Sequence, residues 1–126
     1  MAMRLFSIEE ANALLPFLRK SLAKMTQERL ALTRLEPEVN QAREKAVLGG
    51  GAEIGGQYVT HLIRLSHIIQ EIESLGVLIK DLTLGLCDFP HRREGRVVLL
   101  CWKPDEDQIR WWHETDAGFA NRQPID

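Results

Sequence analysis

The stretch Lys80–Pro124, KDLTLGLCDFPHRREGRVVLLCWKPDEDQIRWWHETDAGFANRQP, decides the fold. At its centre, Arg96-Val97-Val98-Leu99-Leu100-Cys101-Trp102 is apolar at nearly every position, the pattern of a central strand covered on both faces. Val77-Leu78-Ile79, Leu84–Phe89 and Ile109–His113 read as further strands around it. Gly95 and Pro104-Asp105 mark short turns between them. A small antiparallel β-meander of three to four strands is expected. One face of it can be covered by helices, and the other needs the C-terminal tail or a second copy of the chain. That need is the reason to expect a homodimer.

Outward toward the N-terminus the period changes to helical. Ser7-Ile8-Glu9-Glu10 has the form of a capping box, with Phe6 placed for a hydrophobic staple. Pro16 removes a backbone donor, so a short helix over 8–15 and a restart are expected. Leu15, Leu18, Leu22, Met25, Leu32, Val39 and Ala42 then form a narrow stripe, suited to one partner helix. Pro37 predicts a bend near Glu36. Gly49-Gly50-Gly51 and Gly55-Gly56 predict a turn, because each glycine costs up to ~1 kcal/mol in a helix. The second helix is expected from about Gln57 to Leu75, ended by Gly76, with a stripe of Tyr58, Leu62, Leu65, Ile69 and Ile72. The expected architecture is α+β. One domain spans 1–126, with an antiparallel helical hairpin over about 7–75 and the β-meander and tail over about 77–126.

Composition excludes several classes of partner. Sixteen basic and 18 acidic residues leave a formal net charge of -2, giving no general attraction to nucleic acid or anionic membrane. No stretch reaches the ~18–20 apolar residues of a membrane span, and the first residues lack a signal-peptide pattern. A cytoplasmic location is expected. Cys87 and Cys101 fit no metal or redox spacing and are expected to be buried, reduced and space-filling. His91 is expected in a turn.

Three polar positions sit where packing alone would not choose them: Asp81, Asp88 and His113-Glu114. Asp is disfavoured within a strand. Pairing Phe89 with Arg96 and Lys103 with Gln108 would put Asp88 and Glu114 in one row, two strands and about 9–10 Å apart. A one-residue slip substitutes His113 for Glu114. Asp88, His113 and Glu114 are therefore candidate ligands for a divalent metal such as zinc, manganese or iron, which could activate a water. Trp102 could wall a pocket there, and Arg122 could hold a carboxylate or phosphate, or instead bridge to Asp88 or Glu114.

Leu5–Pro16, Lys80-Asp81-Leu82, Gly85–Pro90, Leu100-Cys101-Trp102 and Trp112-His113-Glu114 through Ala117-Gly118-Phe119, Arg122 and Pro124 together resemble the DUF2203 family of uncharacterised prokaryotic proteins. The likeness covers essentially the whole chain, while Cys87 and His91 depart from the pattern. It implies a single-domain bacterial protein of unknown function, with metal dependence suggested and no substrate named. The residues and the resemblance give two expectations. One is a small-ligand or divalent-metal-binding protein with hydrolase-like potential; the other is a non-catalytic homodimeric interaction module.

Overall fold

A computed structural model of the chain describes residues 3–46 and 52–126. The fold is α+β, with helices followed by an antiparallel sheet. The described residues fall into two compact units, one formed by 3–22 with Glu71–Asp126 and the other lying within Ala23–Gln70. They are called here the sheet unit and the arm.

Helix α1 (Ile8–Ala13) begins at the expected box: Ser7 Oγ accepts from the Glu10 N–H at 3.0 Å, and Glu10 Oε1 accepts from the Ser7 N–H at 2.9 Å. Helix α2 (Leu15–Ala46) restarts one residue after the Leu14 cap, with Pro16 in its first turn, where a missing N–H leaves no carbonyl unpaired. Pro37, where a bend is expected, lies inside α2 without ending it. Helix α3 (Ala52–Ser74) starts five residues earlier than expected and runs through Gly55-Gly56. Two glycines near a helix start cost helix propensity, and the apolar run from Tyr58 onward offsets it. The expected Gly49-Gly50-Gly51 turn lies outside the described residues. Gly76, at φ 93°, follows the end of α3 in the left-handed conformation that suits glycine.

In the arm, α2 and α3 form a hairpin-like pair, and His61 Nδ1 lies 2.5 Å from Glu28 Oε2. Leu62, assigned from sequence to the packing stripe, is instead 43% exposed.

The sheet has five strands in sequence order, β1 (Leu78–Asp81), β2 (Leu86–Arg93), β3 (Arg96–Trp102), β4 (Trp111–His113) and β5 (Gln123–Pro124). β5 exceeds the expected count; two residues ending on a proline carry no readable alternation. β2 is longer than expected and takes in His91, which was placed in a turn. Pro90 lacks an N–H but its carbonyl accepts from Phe6 at 2.7 Å, while His91 Nδ1–H donates to the Phe6 carbonyl at 2.7 Å. The N-terminal segment is thus clipped onto β2.

The β2–β3 turn sets the register. Glu94 (φ 50°) and Gly95 (φ 79°) are both left-handed, which makes a two-residue hairpin and pairs Arg93 with Arg96. The expected pairing of Phe89 with Arg96 is therefore wrong by four residues, and Asp88 stands opposite Cys101 rather than Val97. The β3–β4 hairpin takes the slipped alternative, with Leu99 opposite His113.

Because successive side chains alternate, the register sorts the sheet into two faces. Cys87, Phe89, Val98, Leu100, Trp102 and Trp112 share one. With Phe6, Ala11, Leu15, Leu18, Leu22 and Ile72 they belong to the apolar core of the unit, and Phe6 meets Phe89 edge-to-face at 5.4 Å. Leu86, Asp88, Pro90, Leu99, Cys101 and His113 share the other. That face is also buried within the single chain, so a second copy is not needed to cover it.

Candidate metal centre

Asp88 and His113 come from β2 and β4, which flank β3 on either side. Sequence geometry placed them too far apart for direct contact. In the structure both side chains reach over β3, and His113 Nε2 lies 3.1 Å from Asp88 Oδ2. The pair is closed off from solvent, with Asp88 1% and His113 3% exposed.

The other ring nitrogen fixes the chemistry of this contact. His113 Nδ1 lies 2.8 Å from the Glu114 carbonyl oxygen, which can only accept, so Nδ1 carries the hydrogen. A neutral ring then presents a bare lone pair from Nε2 to a carboxylate oxygen that is also an acceptor. Either a proton or a cation has to lie between them. The second carboxylate oxygen, Asp88 Oδ1, is buried and has no hydrogen-bond partner among the described residues. Burial pushes the Asp88 carboxyl above its ordinary value of 3.8, against the opposing pull of His113 and Lys80.

Cys101 is the third member. It stands opposite Asp88 on β3, and Asp88, Cys101 and His113 offer ligand atoms that all lie within 4.8 Å of one another. Its thiol is pushed up to about 12, first by burial and then by the Asp88 charge, while Arg122 pulls the other way. Sequence reasoning treated this cysteine as filler. The signal lay in the Glu94-Gly95 turn: a two-residue hairpin there counts Cys101 opposite Asp88.

Asp88 and His113, though not Cys101, line a pocket of ≈ 140 Å³ whose wall also includes Lys80, Leu86, Leu99, Thr115, Gly118 and Phe119. The segment after β4 thus roofs the polar face. A larger cleft of ≈ 510 Å³, beside Ile8, Asn12, Arg110, Trp111 and Ile125, includes none of the three cluster residues.

The remaining candidates are placed elsewhere. Glu114 is half-buried and gripped by Arg96, whose Nε donates to its two oxygens at 3.0 and 3.2 Å, and it does not reach Asp88. The one-residue step from His113 turns it to the opposite face. Trp102 lies on the core face, its indole N–H donating to the Glu106 carbonyl at 2.9 Å, so it does not wall the pocket. Arg122 pairs with neither Asp88 nor Glu114. It donates to both Glu106 oxygens at 3.0 and 2.9 Å and stacks over Phe119 and Trp111. That pairing ties the roof segment to the β3–β4 connection. Asp81 Oδ1 accepts from the Leu84 N–H and shapes the β1–β2 turn.

Among the described residues, no helix is long and apolar enough to cross a membrane. No curated protein and no solved structure matches the chain. A family model described as "Uncharacterized conserved protein (DUF2203)" matches residues 4–125, and the chain belongs to that family.

Proposed function

We propose that this DUF2203 chain is a divalent-metal-binding protein whose centre is Asp88, Cys101 and His113, with hydrolase-like chemistry as its use. The observation that carries the reading is the facing of His113 Nε2 and Asp88 Oδ2 at 3.1 Å, with the ring hydrogen held on Nδ1 by a carbonyl. A backbone carbonyl on the far nitrogen is the usual way a metal-bound histidine is oriented. Donors at bond lengths of ~2.0–2.3 Å in a tetrahedron lie roughly 3.3–3.8 Å apart. Closing a set that spans no more than 4.8 Å takes shifts on the order of 1 Å.

Among zinc, manganese and iron, the nitrogen, oxygen and sulfur donors favour zinc, since a thiolate is a poor partner for manganese. Three protein ligands leave a fourth position, and the ≈ 140 Å³ pocket provides room for it. A bound ion supplies a Lewis acid that polarises a carbonyl or lowers the pKa of water. Within the chain, Asp88 contributes one negative charge and Cys101 a second once its thiol proton is displaced. His113 contributes an oriented lone pair, and the roof segment limits water. Lys80 lines the pocket and is placed to meet a negative group on a ligand.

The test is elemental analysis of purified protein, with cobalt substitution read by absorbance. One zinc per chain is expected, together with the intense near-ultraviolet band of a cobalt–thiolate bond. Cys101→Ser and His113→Gln should each lose the metal. Cys87→Ser, on the opposite face, should retain it. Metal-free wild-type protein whose melting temperature does not respond to added zinc would refute the proposal. It would leave the competing account, in which one proton held between Asp88 and His113 serves only to fix the sheet, in line with a non-catalytic module.

A further inference from the structure

A second feature, independent of the metal centre, lies in the arm. Among the described residues of Ala23–Gln70, Met25 alone is buried. Two helices of this length therefore enclose almost no core of their own, and helices in water draw most of their stability from packing an apolar face.

α3 carries apolar side chains on two faces. Tyr58, His61, Leu65 and Ile69 are half-buried. Val59, Leu62 and Ile63 are 51%, 43% and 50% exposed. Their spacing of i, i+3 and i+4, continued by Ser66 at i+7, makes a second continuous stripe. Three exposed branched side chains in one row go beyond the scattered single residues of an ordinary surface.

Charge narrows what can cover this stripe. From Gln57 to Gln70, Arg64 is the one residue of fixed charge on α3. On α2, residues 23–44 carry four cations (Lys24, Arg29, Arg34, Arg43) and four anions (Glu28, Glu36, Glu38, Glu44). An anionic bilayer or an acidic partner requires a cationic surface, and a basic partner requires an anionic one. A balanced, interleaved surface is complementary to another of the same composition.

We infer that the Val59/Leu62/Ile63 stripe is the seam of a homodimer, in which the arm of a second copy covers the first and two hairpins make a four-helix bundle. A two-fold seam places the same row on both sides, so small and branched residues can interleave without a separate receptor surface.

Light scattering coupled to size exclusion, on the full chain across the micromolar range, tests this. Wild-type protein should show the mass of two chains. Leu62→Glu with Ile63→Glu should show one, with tryptophan fluorescence unchanged because all three tryptophans lie in the sheet unit. The conservative Leu62→Met with Ile63→Val should remain a dimer. A one-chain wild type overturns the inference, and so does a dimer that survives the double glutamate substitution. Binding of a single-chain wild type to anionic vesicles, or of its arm to a different protein, would also overturn it by naming another occupant.

Discussion

The sheet unit and the arm are built from similar proportions of apolar residues and use them in opposite ways. In the sheet unit, residues distant in sequence close on one another: Phe6 on Phe89, Asn12 Oδ1 on the Ile109 N–H at 2.8 Å, Arg19 on the Glu106 carbonyl at 2.9 Å. Trp102, Phe89 and Val98 are sealed from solvent as a result. In the arm, contacts repeat along two helices and seal only Met25 among the described residues. A buried donor set needs a low-dielectric, rigid surround, and only the sheet unit supplies one. The difference explains why the candidate chemistry sits on the sheet.

The contrast can be broken by substitution. The largest effect is expected from Phe89→Ala, which empties a fully buried site against Phe6. Chemical denaturation should show a loss of about 3–5 kcal/mol. A loss below about 1 kcal/mol would mean that the sheet unit is as loosely packed as the arm. Next comes the capping box on α1. Ser7→Ala should cost about 1 kcal/mol, and its Glu10 half carries a pH signature. The Ser7 N–H, then the Ser7 hydroxyl, hold the Glu10 carboxyl below its ordinary value of 4.5. A depressed folded-state pKa contributes stability above the ordinary value and loses it as pH falls through the depressed one. The melting-temperature gap between wild type and Glu10→Gln should therefore be open at neutral pH and close as the pH falls below the ordinary value of 4.5 and through the depressed one. The smallest effect is expected in the arm. Leu30 is 49% exposed and off the α3 stripe, and Leu30→Ala should change stability by no more than about 0.5 kcal/mol. A larger loss would place Leu30 under cover that the single chain does not provide.

Much of this division was legible in the residues. The Ser7-Glu10 box, the restart near Pro16 and the apolar run Arg96–Trp102 depend on local rules, and the structure follows them. What was not legible depended on where strands met. Asp88 was singled out because aspartate is out of place within a strand, yet its partners hung on a register that two left-handed residues at 94 and 95 decide. Non-glycine residues rarely adopt that conformation, so Glu94 gave little warning. Glu114 and Trp102 were drawn toward the site by their chemistry and sent away by alternation. Cys101 was passed over because an apolar neighbourhood makes a thiol look inert. Gly55-Gly56 misled in the other direction, since a propensity near a helix start is a small term.

The clip between the N-terminal segment and β2 has a consequence for the order in which the protein can be assembled on the ribosome. Phe6 waits for Pro90 and His91, and Asn12 for Ile109, separations of 85 and 97 residues in the side-chain pairs. At synthesis rates of ~5–20 residues per second, the first turns of the chain remain without their docking partners for roughly 5–20 s. The helices of the arm emerge during that interval, so the nascent chain presents the Val59/Leu62/Ile63 row before the sheet that carries Asp88, Cys101 and His113 has been made.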